Sequence, residues 1–217
     1  MAHAASIVRK YLVGKAVNSV VAVEDALVFS KPLTADIFKE TVSGKTVAAV
    51  NRHGKYFWIR FNDSPTVMLL HFGMTGWVKV KGIQTHFLVM ENGGDKKAAE
   101  QLARNKAMMS NDTFVAEKDP NMEWPPKFHK FILKADDDTE LAFTDPRRLG
   151  RIRLLEAETD EQLMKMEPLK RNGSDFSKQS DTWTLDKFCS EVSRRKVPIK
   201  SLIMDQALFA GVGNWIA

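Results

Sequence analysis

The chain has 217 residues, enough to bury a substantial core as one large domain or two small ones, and its 44% hydrophobic and 27% charged content excludes a disordered tail. Its longest apolar runs fall short of the ~20 residues that span a bilayer, so no membrane partner is expected. Lys and Arg outnumber Asp and Glu by 32 to 27, a formal charge of +5 that permits a polyanionic partner without requiring one.

The lone cysteine, Cys189, allows no internal disulfide and no four-cysteine zinc site. A reducing intracellular compartment is therefore expected, with no metal and no cofactor. The opening MAHAASIVRKYLVGK lacks the apolar core of a secretory signal, and export is not expected.

In chain order, a helix is predicted around Ala4 to Leu12, and a second after Thr34, whose hydroxyl suits a helix cap ahead of ADIFKETV. Between Ala16 and Glu156 eight runs read as strands: AVNSVVAV, KTVAAV, KYFWIRF, TVMLLHF, GWVKVK, KFHKFILK, ELAFT and RIRLLE. Eight short strands imply an antiparallel sandwich or barrel. In KYFWIRF, Tyr56, Trp58 and Arg60 alternate with Phe57, Ile59 and Phe61, the pattern of a sheet buried on one side.

Residues 91–126 lose apolar periodicity and read as an insertion, with AAEQLARNKAM as an exposed helix and a surface loop favoured over a functional lid. After Glu156 the signals turn helical. Thr159 and Gln162 form a capping-box pair, and Pro168 interrupts LMKMEPL. RNGSDFSKQSDT reads as a polar linker, TLDKFCSEVSRR as an amphipathic helix, and VPIKSLIMDQALF as a helix with Pro198 in its first turn. AGVGN then turns the chain, and NWIA, with Trp215 and Ile216, begins another helix.

Four features carry possible chemistry. DPRRLGRIR packs Arg147, Arg148, Arg151 and Arg153 into seven residues, either a phosphate surface or a charged strand edge. Arg194, Arg195, Lys196 and Lys200 form a second basic run before the glycine turn, which is either an ordinary helix–turn–helix corner or a place where amides near Gly211, Gly213 and Asn214 meet a phosphate. In HFGMTGW, Met74 is either a wedge for a base stack or core filler, and His71 either structural or catalytic. Lys55, just ahead of a strand, is either solvated or an amine aimed at DNA.

HGKYFWI, LLHFGMTGW, FTDPRRLGRI and IKSLIMDQALFAGVGNWIA, in this order and spacing, closely resemble the formamidopyrimidine-DNA glycosylase (Fpg/Nei) family, especially its fungal and plant-like branch. The resemblance covers nearly the whole chain outside 91–126. It implies an α+β fold in two domains. Residues 1–157 would form a two-layer antiparallel β-sandwich with flanking helices, and 158–217 a helical domain with a helix–two-turn–helix.

The implied activity is base-excision repair: removal of oxidised bases of the formamidopyrimidine and 8-oxoguanine class, with abasic-site lyase chemistry. Such an enzyme must first flip the base from the stack. The implied partner is double-stranded DNA carrying an oxidised base or abasic site, bound by a monomer in the nucleus. Met74 and Arg147 match residues that fill the hole left by the flipped base. Leu149 takes a third wedge position where many members have Phe.

Lys55, Lys200, Arg148 and Asn214 match phosphate contacts beside Gly213, Lys55 with an auxiliary catalytic part. His71 belongs to the HxGM motif at the DNA cleft. The family's Pro-Glu start, whose proline amine attacks the sugar, has no counterpart in MAHAAS. Aligned through YLVGK, this start falls about half a dozen residues inside the family's, roughly two helical turns. Removal of Met1 would expose Ala2 as a primary amine. The zinc or zincless finger has no counterpart either. A non-catalytic damaged-DNA binder is the alternative expectation, and a structural nucleic-acid module a third.

Overall fold

The computed structural model describes residues 1–85, 122–178, 183–214 and 216–217. The expected helix at 98–108, most of the 91–126 insertion, the end of the polar stretch before Trp183, and Trp215 lie outside the described residues.

Helix α1 (Ala2–Leu12) buries Ala4, Ala5, Ile7, Val8 and Leu12, spaced so that they share one face. Arg9 and Lys10 sit in its last turn, where cations suit the carboxyl end of the helix. Arg9 Nη2 also donates to the Val50 carbonyl at 2.6 Å. Helix α2 (Ala35–Val42) starts as expected at Thr34, whose hydroxyl accepts the Ile37 N–H at 3.2 Å.

All eight expected strands form: β1 (Val17–Ala22), β2 (Val47–His53), β3 (Tyr56–Phe61), β4 (Thr66–His71), β5 (Trp77–Val80), β6 (His129–Ala135), β7 (Glu140–Thr144) and β8 (Arg151–Glu156). They make two antiparallel four-stranded sheets, ordered β1-β6-β7-β5 and β2-β3-β4-β8. One apolar cluster joins both sheets to α1 and α2. Its rings run in contact from Phe38 to Phe131 (5.0 Å), Phe143 and Phe72, ending on Phe57.

The expectation of a sheet buried on one side is corrected. Trp58 is as buried as Phe57 and Ile59, and in β4 Val67 and Leu69 are buried along with Met68 and Leu70. A second cluster of Trp58, Val67, Leu69, Ala157, Leu163 and Leu169 covers the outer face. Helix α3 (Asp160–Met164) and the short 3₁₀ turn Leu169–Arg171 supply that cover. Asp160 pins it, accepting from Asn51 Nδ2 (2.8 Å), Trp58 Nε1 (3.0 Å) and Arg60 Nε. Thr159 caps α3 through the Gln162 N–H, while the Gln162 side chain returns to the Glu158 N–H rather than to Thr159.

Two further expectations change. The first part of the polar stretch is docked rather than loose: Asp175 is buried, and the Phe176 ring packs edge-on against Trp183 and tilted against Phe209. Helix α4 (Leu185–Ser193) follows, capped by Thr184, and reaches this aromatic cluster through Phe188.

The long helix expected over 197–209 is only α5 (Ile199–Ile203), with Pro198 at its cap. A continuing helix would bond the Ala207 N–H to residue 203 and use the Met204 carbonyl for residue 208. Instead Asp205 Oδ1 takes the Ala207 N–H (3.0 Å), and Gln206 Nε2 takes the Met204 carbonyl (2.7 Å). The freed segment pairs with residues 173–174, through Gly173 N to Gln206 O and Ala210 N to Ser174 O.

Candidate nucleic-acid interface

Two loops at one end of the sandwich meet at a buried carboxylate. Asp145 follows β7 and is fully buried. Its Oδ1 accepts the Thr75 hydroxyl (2.8 Å) and the Arg147 N–H (3.3 Å), and its Oδ2 accepts the Gly150 N–H (2.6 Å). One side chain thus holds both the turn after β4 and the loop before β8. Asp145 was not among the residues expected at the site, although an Asp-Pro step ahead of two arginines is a turn signal.

The same two loops touch through backbone. At Gly73, with φ +61°, a Cβ would fall 2.5 Å from the Leu149 carbonyl carbon. Met74 stands 64% exposed and Leu149 39% exposed beside this contact, and Arg147 is exposed as well. Core filling is therefore not what Met74 does. His71 has a structural role, because its Nδ1 accepts the Gly73 N–H at 3.0 Å and its ring packs on Tyr56. Desolvation, with Lys55, Arg153 and Arg151 nearby, pushes its pKa down to about 4. The ring is therefore neutral near pH 7, with Nδ1 as acceptor and Nε2 carrying the proton.

A second junction sets Lys55. Gly54, at the β2–β3 turn, lies so close to Ala210 and Gly211 that a Cβ there would sit 2.9 Å from Ala210 Cβ. Asp175 fixes the turn from below through the Gly54 N–H (2.9 Å) and Arg52 Nη1 (2.7 Å). His53 Nε2 lies 2.8 Å from the Gly173 carbonyl. Burial alone would raise the Asp175 pKa, but bonds from Ser177 and Gly54 and the Arg52 charge outweigh it and hold the carboxylate ionised.

On the facing loop Gln206 bridges the glycine turn, accepting the Gly211 N–H (3.0 Å) and donating to Val212 O (2.8 Å). Lys55 is thereby laid along Gly213, its Nζ 3.8 Å from where a Cβ would stand. The ammonium is half-buried and has no carboxylate partner among the described residues, and desolvation lowers its pKa.

The remaining sequence-predicted residues divide. Lys200 and Asn214 are exposed, and Lys200 has no ion-pair partner among the described residues. Arg148 is not free: its guanidinium grips Asp25 by Nε and Nη2. Arg151 bonds the Gly150 carbonyl, and with Arg153 it lies on edge strand β8, so the arginine run serves both the loop and the edge. Arg194 pairs with Glu191 at 2.7 Å and Arg195 more loosely at 3.5 Å, so these two members of the basic run already have a carboxylate partner. Among the described residues no helix is long and apolar enough to cross a membrane.

The two-sheet sandwich has counterparts among known proteins. Residues 1–152 match the family model described as the formamidopyrimidine-DNA glycosylase N-terminal domain. The chain belongs to the formamidopyrimidine-DNA glycosylase family.

A formamidopyrimidine-DNA glycosylase of Arabidopsis thaliana is 32% identical over 204 residues, 94% of this chain and 44% of that protein. One from Rhodospirillum rubrum is 28% identical over 209 residues, 94% and 56% respectively. The chain thus spans about half the length of these relatives. In fold it is similar to Lactococcus lactis Fpg solved with FAPY-dG-containing DNA, with a TM-score of 0.66 at 18% identity over 98% of this chain and 62% of that one.

Proposed function

We propose that this chain is the DNA-gripping core of a base-excision-repair glycosylase, acting on duplex DNA with an oxidised base of the formamidopyrimidine or 8-oxoguanine class, with abasic-site lyase chemistry attached. The observation that carries the reading is the pairing of Met74 and Leu149, exposed side by side on loops locked by Asp145. Exposed apolar side chains on a rigid turn are costly in water and suited to enter a base stack. Arg147, exposed beside them, offers a donor fork to the base left without a partner. Leu in place of an aromatic wedge keeps the apolar contact and gives up ring stacking.

Around this wedge the cations are arranged for phosphates. Lys55, Lys200 and Arg148, with the backbone at Gly213 and Asn214, would hold the strand that carries the lesion, and neutral His71 would keep the Met74 turn in shape. Lys55 has an auxiliary catalytic part, since its lowered pKa raises the share of free amine. That amine adds to the C1′ aldehyde of an opened abasic sugar and loses water to form an imine. A monomer in the nucleus goes with this reading, the monomer being what the family resemblance implies.

Borohydride trapping on a duplex with one abasic site tests it, the hydride reducing the imine to a stable secondary amine. The expected result is lesion-selective binding and an adduct mapped to Lys55. Selective binding without an adduct would reduce the activity to damaged-DNA recognition. Equal affinity for undamaged duplex would overturn the reading altogether.

A further inference from the structure

Arg148 is the central residue of the exposed Arg147–Leu149 tip and has φ +57°, where side-chain-bearing residues are uncommon. Its guanidinium turns back onto Asp25, with Nε 2.9 Å from Oδ2 and Nη2 3.0 Å from Oδ1, a two-pronged fit. The Asp25 carboxylate is only 5% exposed and also accepts Lys130 Nζ (2.8 Å) and the Leu27 N–H (3.1 Å).

The backbone beneath is equally fixed. The Asp25 carbonyl accepts the N–H groups of Val28 and Phe29, and Val28 and Ser30 bond across to Ile152 in β8. Phe29 is fully buried. Asp25 is thus anchored to the sandwich, whereas the Arg148 side chain is 52% exposed and has no second protein partner among the described residues.

The charges decide what this arrangement leaves available. Lys130 is buried, and its ion pair is with Asp25, so one buried carboxylate and one buried ammonium already balance. Arg148 is the surplus cation: Asp25 holds it without cancelling its charge.

We propose that Asp25, on its buried pair with Lys130, is a positioning residue for DNA binding. It aims the outer donors of Arg148 at a phosphate and keeps Arg147 and Leu149 at the tip of the loop. This rests on the DNA-binding reading above. It also predicts a sign. A carboxylate that merely sat near the phosphates would repel DNA, and its removal would tighten binding; a positioning carboxylate does the reverse.

The test compares the parent chain with R148A, D25N/K130M and the triple variant on an abasic-site duplex across a salt series. D25N/K130M removes one charge of each sign, leaving the local net charge unchanged and no ammonium stranded in the interior. R148A should lower affinity and reduce the log–log salt slope by about 0.9, one phosphate's share. D25N/K130M should weaken binding about tenfold, the size of one charged hydrogen bond, and add nothing in the R148A background.

Parent-like binding by D25N/K130M, or a loss that adds in full to that of R148A, would overturn the inference while leaving the DNA-binding reading intact. Failure of the parent to prefer the abasic duplex would instead overturn that reading. Should D25N/K130M not fold, arginine-labelled NMR of the parent decides: the Arg148 Nε–H should exchange much more slowly than that of exposed Arg147, and equal exchange would overturn the positioning role.

Discussion

Gly73 lies against the backbone of Leu149, so the turn bearing Met74 and the loop bearing Arg147 move as one piece. A methyl group at Gly73 would meet Leu149 backbone atoms at 2.5 and 2.6 Å, in a backbone conformation that itself disfavours side chains. G73A is therefore expected to cost about 1–3 kcal/mol and to separate the two loops. Denaturant melts should show the loss. Binding to an abasic-site duplex should fall further than binding to undamaged DNA, because only the former uses the aligned wedge.

His71 gives the protein a pH dependence whose direction follows from its surroundings. Burial and three nearby cations depress its folded pKa to about 4, against about 6.5 in an unfolded chain. Between these values the unfolded chain binds the extra proton, so stability rises with pH. The contribution is complete above about pH 6.5 and lost as pH falls through about 4, reaching ~3 kcal/mol at most. His3, also lowered, titrates in the same direction, so the comparison is with H71Q, whose melts should lose part of this slope. An NMR titration of the His71 ring with a midpoint near 6.5 would contradict the assignment.

The eight strands and the first two helices were legible because alternation and capping are local: Thr34 ahead of ADIFKETV does what its position says. What the sequence hid was cover supplied from far along the chain. Trp58 alternates with Phe57 as though it faced water, yet Leu163 and Leu169, far along the chain, bury it. Likewise VPIKSLIMDQALF has helical composition, and only the side chains of Asp205 and Gln206 end the helix early.

At the site, Met74, Arg147 and Leu149 stood out as motifs. Their organiser Asp145 did not, because a buried turn carboxylate leaves no periodic trace. The grip of Asp25 on Arg148 spans 123 positions and has no local signature at all.

Asp160 offers a test of the outer cover. It receives Asn51, the Trp58 indole and the Arg60 guanidinium together. In D160A the Trp58 N–H and the Arg60 Nε–H would lose their acceptor, leaving the largely buried guanidinium only the Ala157 and Glu158 carbonyls, at a cost of about 2–4 kcal/mol. The tryptophan near-ultraviolet circular dichroism should change and the melting temperature fall by several degrees. An unchanged spectrum would mean that Asp160 does not hold Trp58.

Gln206 tests the glycine turn beneath Lys55. Its amide donates to the carbonyls of Met204 and Val212 and accepts the Gly211 N–H, three bonds from one side chain. Glutamate in its place would keep the acceptor for Gly211 but turn the two donations into oxygen–oxygen repulsion, whereas alanine removes all three. Q206E should therefore destabilise the turn at least as much as Q206A, about 1–3 kcal/mol for either. Hydrogen exchange at the Gly211 amide should accelerate in Q206A while amides of β3 and β4 keep their protection. Because Lys55 lies on Gly213 of the same turn, both variants should bind the abasic duplex more weakly with little change in overall fold; parent-like binding would mean that Lys55 keeps its place without the turn it lies on.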